Sequence, residues 1–168
     1  TLGGGASALV TWTRGGDLWC ATVDVSTKSV GQPFAVAQVD APGSVHVTGA
    51  HPSYAIAHAV DAHSTALVRV DVEGDAPRVQ TITQRPGSPL GVAFHDVPGV
   101  VTLATTTAEA VELARVAWRD DTSAHVLGST ALDLPSGPTV LQAIEAEGCS
   151  TDVLVTATGD RQESDVSC

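Results

Sequence analysis

The sequence predicts an all-β fold made of about four repeated units. Three strand-like runs, "LWCATVDV", "ALVRVDV" and "ELARVAW", share one apolar pattern, and aligning Val23, Val70 and Val116 spaces them by 47 and 46 residues. Clusters of Gly, Pro, Asp and Ser separate these runs from further β-rich runs on either side, as expected of strands joined by turns. The repeated element is therefore a four-stranded unit with strands A to D in chain order.

The units have approximate boundaries within a single domain that spans residues 1–168. We expect them to cover residues 7–38, 44–84, 88–132 and 138–168, and we expect residues 1–6, rich in glycine, to be a flexible lead-in. The first unit begins at its B strand. The last unit contains strands A and B and at most strand C. Neither end unit is therefore complete.

Two stretches carry a resemblance to known repeats: "SALVTWTRGGDLWCATVDV" from Ser7 and "AHPSYAIAHAVDAHSTALVRVDV" from Ala50. In each, a small-residue strand, a polar turn and a strand ending in Val-Asp-Val follow one another. They resemble the β-propeller repeat families, the WD-repeat and TolB-like kinds in particular, without the Gly-His and Trp-Asp pairs of WD repeats. The resemblance covers most of the chain and implies propeller-like blades of about 40 to 50 residues.

Two arrangements of such blades are open. Strands from the two ends could share one blade and close a very small propeller, or the chain could be a segment of a larger propeller. The absence of Met favours the segment. An α+β fold is the alternative to both, because Ser136–Gly148 has the N-cap serine, early proline and terminal glycine of a helix, and 108–118 could also be helical.

The charge balance limits the classes of partner. Nineteen acidic and eight basic residues give a net charge of −11, which opposes nucleic-acid phosphates and anionic lipid headgroups. No apolar run reaches the roughly 18 to 20 residues that span a bilayer, so we expect no membrane insertion. The expected partner is a protein or glycan, or a chain that completes the propeller.

The three cysteines have two different predicted roles. Cys149 and Cys168 lie symmetrically about the turn at residues 158–160, so a hairpin folding there would bring them opposite each other and within reach of a disulfide. That bond predicts an oxidising compartment, hence a secreted or periplasmic protein whose signal is removed or lies outside this chain. Cys20 aligns with Leu67 and Leu113, which predicts a core position.

Four of the six histidines lie in the stretch "HVTGAHPSYAIAHAVDAH", which suggests a metal site. If this stretch forms two antiparallel strands, His51 and His63 lie in turns about 20 Å apart, too far to share an ion. His46 and His58 remain as the candidate metal pair, provided that the strand register places both on one face. The alternative is that His58 is a core histidine, because its face of the strand is apolar.

No catalytic motif is present: the sequence lacks G-x-S-x-G, a P-loop, G-x-G-x-x-G and H-E-x-x-H. The paired glycines of "TRGGDLW" lie between two strands and predict a hairpin turn rather than a phosphate-binding loop. No catalytic residue and no cofactor is therefore assigned. The sequence predicts an extracytoplasmic, non-enzymatic binding or scaffolding module that recognises its partner through propeller loops. The alternative is one part of a processed or split propeller hydrolase whose catalytic residues lie on another segment or chain.

Overall fold

The computed structural model describes residues 7–39, 45–73, 76–95, 99–108, 110–118, 124–133, 139–147, 150–157 and 160–166, and every helix or strand assigned in them is a β-strand. The all-β prediction is confirmed. The α+β alternative is wrong, because both segments with helix-like features pair with neighbouring strands as Ala110–Trp118 and Thr139–Glu147. Within the ranges above, no helix is long and apolar enough to cross a membrane.

The first sheet has four strands: β1 (Ser7–Arg14), β2 (Asp17–Asp24), β3 (Ser29–Val30) and β4 (Phe34–Gln38). β1 and β2 form the predicted hairpin, whose turn residues Gly15 and Gly16 have φ values of 65° and 87°. Glycine adopts this left-handed conformation at little steric cost. β3 and β4 pair one after the other with the same edge of β2. Between them, the N–H of Gly31 still donates to the Thr22 carbonyl at 2.8 Å.

The second and third sheets each have four antiparallel strands in sequential order. The second contains β5 (Val45–Ala50), β6 (Ser53–Asp61), β7 (Ser64–Asp71) and β8 (Arg78–Pro86). The third contains β9 (Ser88–Phe94), β10 (Val100–Thr106), β11 (Ala110–Trp118) and β12 (Ala124–Asp133). Short hairpin turns are enough for these connections because consecutive strands are antiparallel neighbours.

The fourth sheet has three strands among the described residues: β13 (Thr139–Glu147), β14 (Ser150–Ala157) and β15 (Asp160–Val166). β13 lies against β9 of the third sheet, so the fourth sheet continues the series. Four separate antiparallel sheets, three of them four-stranded, are the arrangement expected of propeller-like blades.

The sheets pack face to face because alternate side chains of each strand point to opposite faces. In β6, Tyr54 and Ile56 face the first sheet, whereas Ala55 and Ala57 face the third. One core fills the space between the first and second sheets and contains Leu18, Cys20, Val39, Tyr54, Ile56, Ala66, Val68 and Val70. The other lies between the second and third sheets and contains Ala55, Ala57, Leu67, Val92, Val101, Leu103, Ala114, Val116 and Trp118.

Candidate functional site

A cavity of about 440 Å³ opens where three turns of the second and third sheets meet. The turns are the β6–β7 hairpin, the β8–β9 connection and the β10–β11 hairpin. Eight residues line the cavity: Ala62, His63, Pro86, Gly87, Ser88, Thr106, Thr107 and Ala108. We call this the inter-sheet cavity. It is a surface concavity bounded by loops, which is where propeller-like folds can vary side chains without disturbing their strands.

Gly87 holds two of these turns together. Its N–H donates to the His63 carbonyl at 2.7 Å, and its own carbonyl accepts a 2.7 Å hydrogen bond from the buried Thr65 hydroxyl. Its φ is 91°, and a Cβ at this position would collide with the backbone of Thr106. Only glycine can adopt this backbone angle and also leave room for the nearby backbone of Thr106. Any residue with a side chain would therefore be strained at this position.

The β6–β7 turn is fixed by Asp61. The backbone N–H of His63 donates to Asp61 Oδ1 at 2.7 Å. This bond, together with one from the Ser64 hydroxyl, holds the pKa of Asp61 below its ordinary value. The Asp61 carboxylate is therefore ionised and accepts its hydrogen bonds from within its own turn. The exposed imidazole of His63 lies at the tip of this turn, beside the cavity.

The opposite wall is a turn built on Thr107, whose N–H donates to the Ala110 carbonyl at 2.9 Å. The hydroxyl of Thr106 donates to the Thr107 carbonyl at 3.1 Å, and that of Thr107 donates to the Ala110 carbonyl at 3.3 Å. These hydroxyls are therefore occupied by backbone acceptors. An ion pair between Arg85 of β8 and Glu112 of β11 joins the two sheets.

The inter-sheet cavity offers hydrogen-bonding groups, and no carboxylate, ammonium or guanidinium group belongs to its lining. None of its eight lining residues is Asp, Glu, Lys or Arg. It therefore suits a neutral polar group, such as a peptide backbone or a sugar hydroxyl, better than a phosphate or a metal ion. Across the part of the chain that the structure describes, no three His, Cys, Asp or Glu side chains group as metal ligands would.

The histidines considered as a metal pair lie on opposite faces of the second sheet. Val45 is opposite His58 and His46 is opposite Ala57, and directly opposed residues of antiparallel strands share a face. His58 therefore faces the first sheet and His46 the third. One ion cannot bind both imidazoles in this register, because ligand distances are about 2 Å.

Each of these two histidines has a structural environment of its own. His58 is 2% exposed, and its Nδ1 lies 3.0 Å from the Ala59 carbonyl. Burial lowers the pKa of His46, and a hydrogen bond to the Pro89 carbonyl opposes that shift in part. The Nε2 atoms of both rings are buried without a hydrogen-bond partner. His46 and Pro89 belong to β5 and β9, so this contact links the second and third sheets.

The other two histidines of the stretch lie in turns at opposite ends of β6. His51 lies in the β5–β6 turn and His63 in the β6–β7 turn. His95, which aligns with His51, is 6% exposed, and its Nε2 lies 2.7 Å from the Thr102 hydroxyl. Of the six histidines, only His63 lines the inter-sheet cavity.

Cys20 is a core residue, with 0% exposure between the first two sheets. Burial raises the pKa of its thiol to about 12, so the reactive thiolate is scarce at neutral pH. Cys149 and Cys168 lie outside the described residues. The predicted disulfide between them requires a hairpin of β14 and β15, and those strands do pair antiparallel, with Thr151 opposite Val166. The disulfide itself stays a prediction.

Thiol alkylation tests this disulfide. We expect the oxidised native protein to take up no iodoacetamide at neutral pH, since Cys20 is buried and the other two cysteines are bonded. Denaturation without a reductant should give one label, on Cys20, and denaturation with a reductant should give three. Peptide mass spectrometry locates the labels. Native labelling of Cys149 and Cys168 would contradict the disulfide and the oxidising compartment with it.

Comparisons with known proteins support the architecture. No protein-family model and no curated protein matches this chain. A chain from a solved structure of two prolyl endopeptidases, analysed for inter-domain dynamics in catalysis and specificity, is similar over 97% of this chain, with a TM-score of 0.55 and 13% identity. That endopeptidase contains a β-propeller domain. This chain spans 24% of its length, and at such low identity the likeness shows the fold alone.

The inter-sheet cavity was not among the sites that the sequence predicted. Its lining comes from three turns that are separated by about 20 residues in the chain, so no local motif contains it. One signal was available: "RPGSP" at residues 85–89 places Gly between two prolines, a combination typical of a tight connection. The signal indicates a turn but not the surface that it borders.

Proposed function

We propose that this chain is a non-enzymatic, β-propeller-like module that recognises a protein or glycan at the inter-sheet cavity. The observation that carries the proposal is the convergence of three turns on one concavity that bears hydroxyl groups and is lined by no Asp, Glu, Lys or Arg. Loops on a rigid sheet scaffold are where binding residues concentrate, because their side chains can change without altering the core. Blades of the WD-repeat or TolB-like kind, which the sequence resembles, would present their loops in this way.

The chemistry of the lining favours a neutral polar ligand. The Ser88 hydroxyl and the His63 imidazole can exchange hydrogen bonds with peptide amides or sugar hydroxyls. Pro86, Ala62 and Ala108 provide apolar contact beside them. The net charge of −11 disfavours anionic ligands, nucleic acid included. A loop of a partner protein or a short glycan therefore suits the cavity better than a nucleotide.

The Thr106 and Thr107 hydroxyls support binding rather than turnover. A serine or threonine nucleophile needs a neighbouring base that accepts its proton. The Thr106 and Thr107 hydroxyls donate instead to backbone carbonyls, and Asp61 is held by its own turn. If Cys149 and Cys168 form a disulfide, the module works in a secreted or periplasmic setting.

Blocking the cavity tests the proposal. We expect wild-type protein to select binders from a glycan array or a phage-displayed peptide library. Ala108→Trp should weaken those binders at least tenfold, which is about 1.4 kcal/mol, because the indole fills the opening. Ala108 is exposed in its turn, so the strands should be unaffected. Surface plasmon resonance of each selected binder gives the two affinities.

Ala76→Trp is the matched control. Ala76 is also an exposed alanine between strands, but it lies between β7 and β8, at the opposite end of the second sheet from the cavity. Its affinities should equal those of the wild-type protein. Binders that tolerate Ala108→Trp as well as they tolerate Ala76→Trp would rule out the inter-sheet cavity as the recognition site.

A second candidate function is that the chain is the propeller-like part of a larger or split hydrolase. The similarity to 24% of a prolyl endopeptidase chain favours it. In that case the natural protein or complex that contains this chain should cleave a fluorogenic proline-containing peptide. The 168-residue chain alone should not cleave it. Absence of cleavage by that protein or complex would leave the binding module as the better proposal.

A further inference from the structure

The contact between β5 of the second sheet and β9 of the third contains a histidine that bonds across the two sheets. His46 lies on the face of β5 that points toward the third sheet, as does Ala57, its partner on β6. Its ring makes a hydrogen bond to the Pro89 carbonyl of β9. We call this contact of β5 with β9, centred on His46 and Pro89, the β5–β9 seam. It lies at the cavity end of the sheets, because Pro89 follows Ser88 of the cavity lining.

The hydrogen bond across the seam shows which nitrogen of the neutral imidazole holds the proton. Proline has no backbone N–H, so the His46 ring donates and the Pro89 carbonyl accepts. Nε2 of His46 is buried and has no hydrogen-bond partner, so the donor is Nδ1. In a neutral imidazole the other nitrogen then carries a lone pair and no proton. Nε2 is therefore the atom that would take up a proton, and it has no acceptor for the N–H that would form.

The strands that pack against His46 contain no charge that could compensate for a protonated ring. Neither β5 (Val45–Ala50) nor β9 (Ser88–Phe94) contains another ionisable residue. On the face of β6 that points to the third sheet, the side chains beside His46 belong to alanines, Ala55 and Ala57 among them. Asp61 at the end of β6 is exposed and accepts hydrogen bonds from its own turn.

Charged residues on more distant strands between the two sheets are already paired. They form two ion pairs: Arg69 with Asp71 on β7, and Arg85 of β8 with Glu112 of β11. Among the described residues, a protonated His46 would therefore be a partly buried cation without a counterion. Such a charge is unfavourable unless water or a counterion reaches it.

The effect of pH on folding follows from this environment. Burial lowers the pKa of His46 below its ordinary value of 6.5. Below pH 6.5 the folded chain therefore binds fewer protons at this site than the unfolded chain, and acid favours the unfolded chain. The stability that neutral His46 contributes is complete above pH 6.5 and is lost as the pH falls through the lowered pKa of the ring.

We propose that the β5–β9 seam is an acid-labile contact, which loosens when Nε2 of His46 takes up a proton. Separation of β5 from β9 would admit water to the charged ring, which the closed seam excludes from Nε2. Histidine suits this role because its charge changes between about pH 5 and pH 8. The proposal concerns the packing of two sheets and does not depend on what the inter-sheet cavity binds.

Urea denaturation at about pH 7.5 and about pH 5 tests the seam. On acidification, the unfolding constant of the wild-type chain should increase more than that of His46→Asn, by a factor of at least about three. The asparagine amide can take the place of Nδ1–H as donor to the Pro89 carbonyl, but it takes up no proton in this range. If His46 served packing alone, its replacement would change stability equally at both pH values.

His51→Asn is the matched control, because His51 is exposed in the β5–β6 turn at the other end of β5. Its response to pH should equal that of the wild-type chain, and equal responses of all three chains would overturn the proposal. Should His46→Asn fail to fold, NMR titration of the wild-type imidazole protons decides. The His46 ring should titrate at lower pH than the histidines of the urea-unfolded chain, and titration at the same or higher pH would refute the acid-labile seam.

Discussion

Replacing Gly87 with alanine should destabilise the protein by about 2 to 4 kcal/mol, and we expect this to be among the largest effects of a single added methyl group. The φ of 91° is strained for any residue with a Cβ, and the added carbon would collide with the Thr106 backbone. Relieving that collision requires the second and third sheets to move apart at the cavity. The hydrogen bonds from Gly87 to His63 and from Thr65 to Gly87 would then lengthen together.

Gly15→Ala separates the two causes of this effect. Gly15 also has a left-handed backbone, with φ at 65°, but a Cβ there would meet no atom within 4 Å. Its cost should be only about 1 to 2 kcal/mol, the conformational penalty alone. Urea denaturation of the two variants gives both free energies of unfolding. Equal losses would show that the close approach at Gly87 contributes nothing.

Replacing Leu103 with alanine should lower the free energy of unfolding by about 3 to 5 kcal/mol, because Leu103 is 0% exposed in the core between the second and third sheets. Its neighbours in that core, such as Val101 and Val116, come from paired strands with fixed positions, so the cavity that the mutation leaves cannot collapse fully. Calorimetry or chemical denaturation measures the change.

Leu127→Ala is the control with the same chemical change. Leu127 is 59% exposed on β12, at the point where the register with β11 shifts and leaves one residue unpaired. Its truncation should change stability by less than about 0.5 kcal/mol. A large loss from Leu127→Ala, or a small one from Leu103→Ala, would mean that the packing of the third sheet differs from the arrangement described above.

The strands and their grouping follow from local features of the sequence. Alternating apolar residues around Val23, Val70 and Val116 identify one strand of each of the first three sheets, and Gly15-Gly16 marks a hairpin turn. The repeated spacing then separates one sheet from the next. Helix-like punctuation at residues 136–148 was misleading, because capping residues also suit turns between strands, and tertiary pairing decides between the two.

The strand register and the inter-sheet cavity could not be predicted from local features of the sequence. Whether His46 shares a face with His58 depends on a one-residue shift in the β5–β6 turn, which composition does not determine. The inter-sheet cavity depends on how two sheets pack, and its turns carry common residues such as Ala62 and Thr106. Val10 of β1 is 46% exposed and Ile56 of β6 is 0% exposed, although both are β-branched apolar residues inside strands.

The two cores have a consequence for how the architecture can change. Among the residues whose burial the structure describes, each core joins two adjacent sheets, and the second sheet contributes to both. The free energy of unfolding then depends on the interfaces between adjacent sheets, as it does in other repeat architectures. A duplication or loss of one whole unit would create or remove one such interface while leaving the others intact. Genes that encode such chains can therefore lengthen or shorten by entire sheets without inventing a new core.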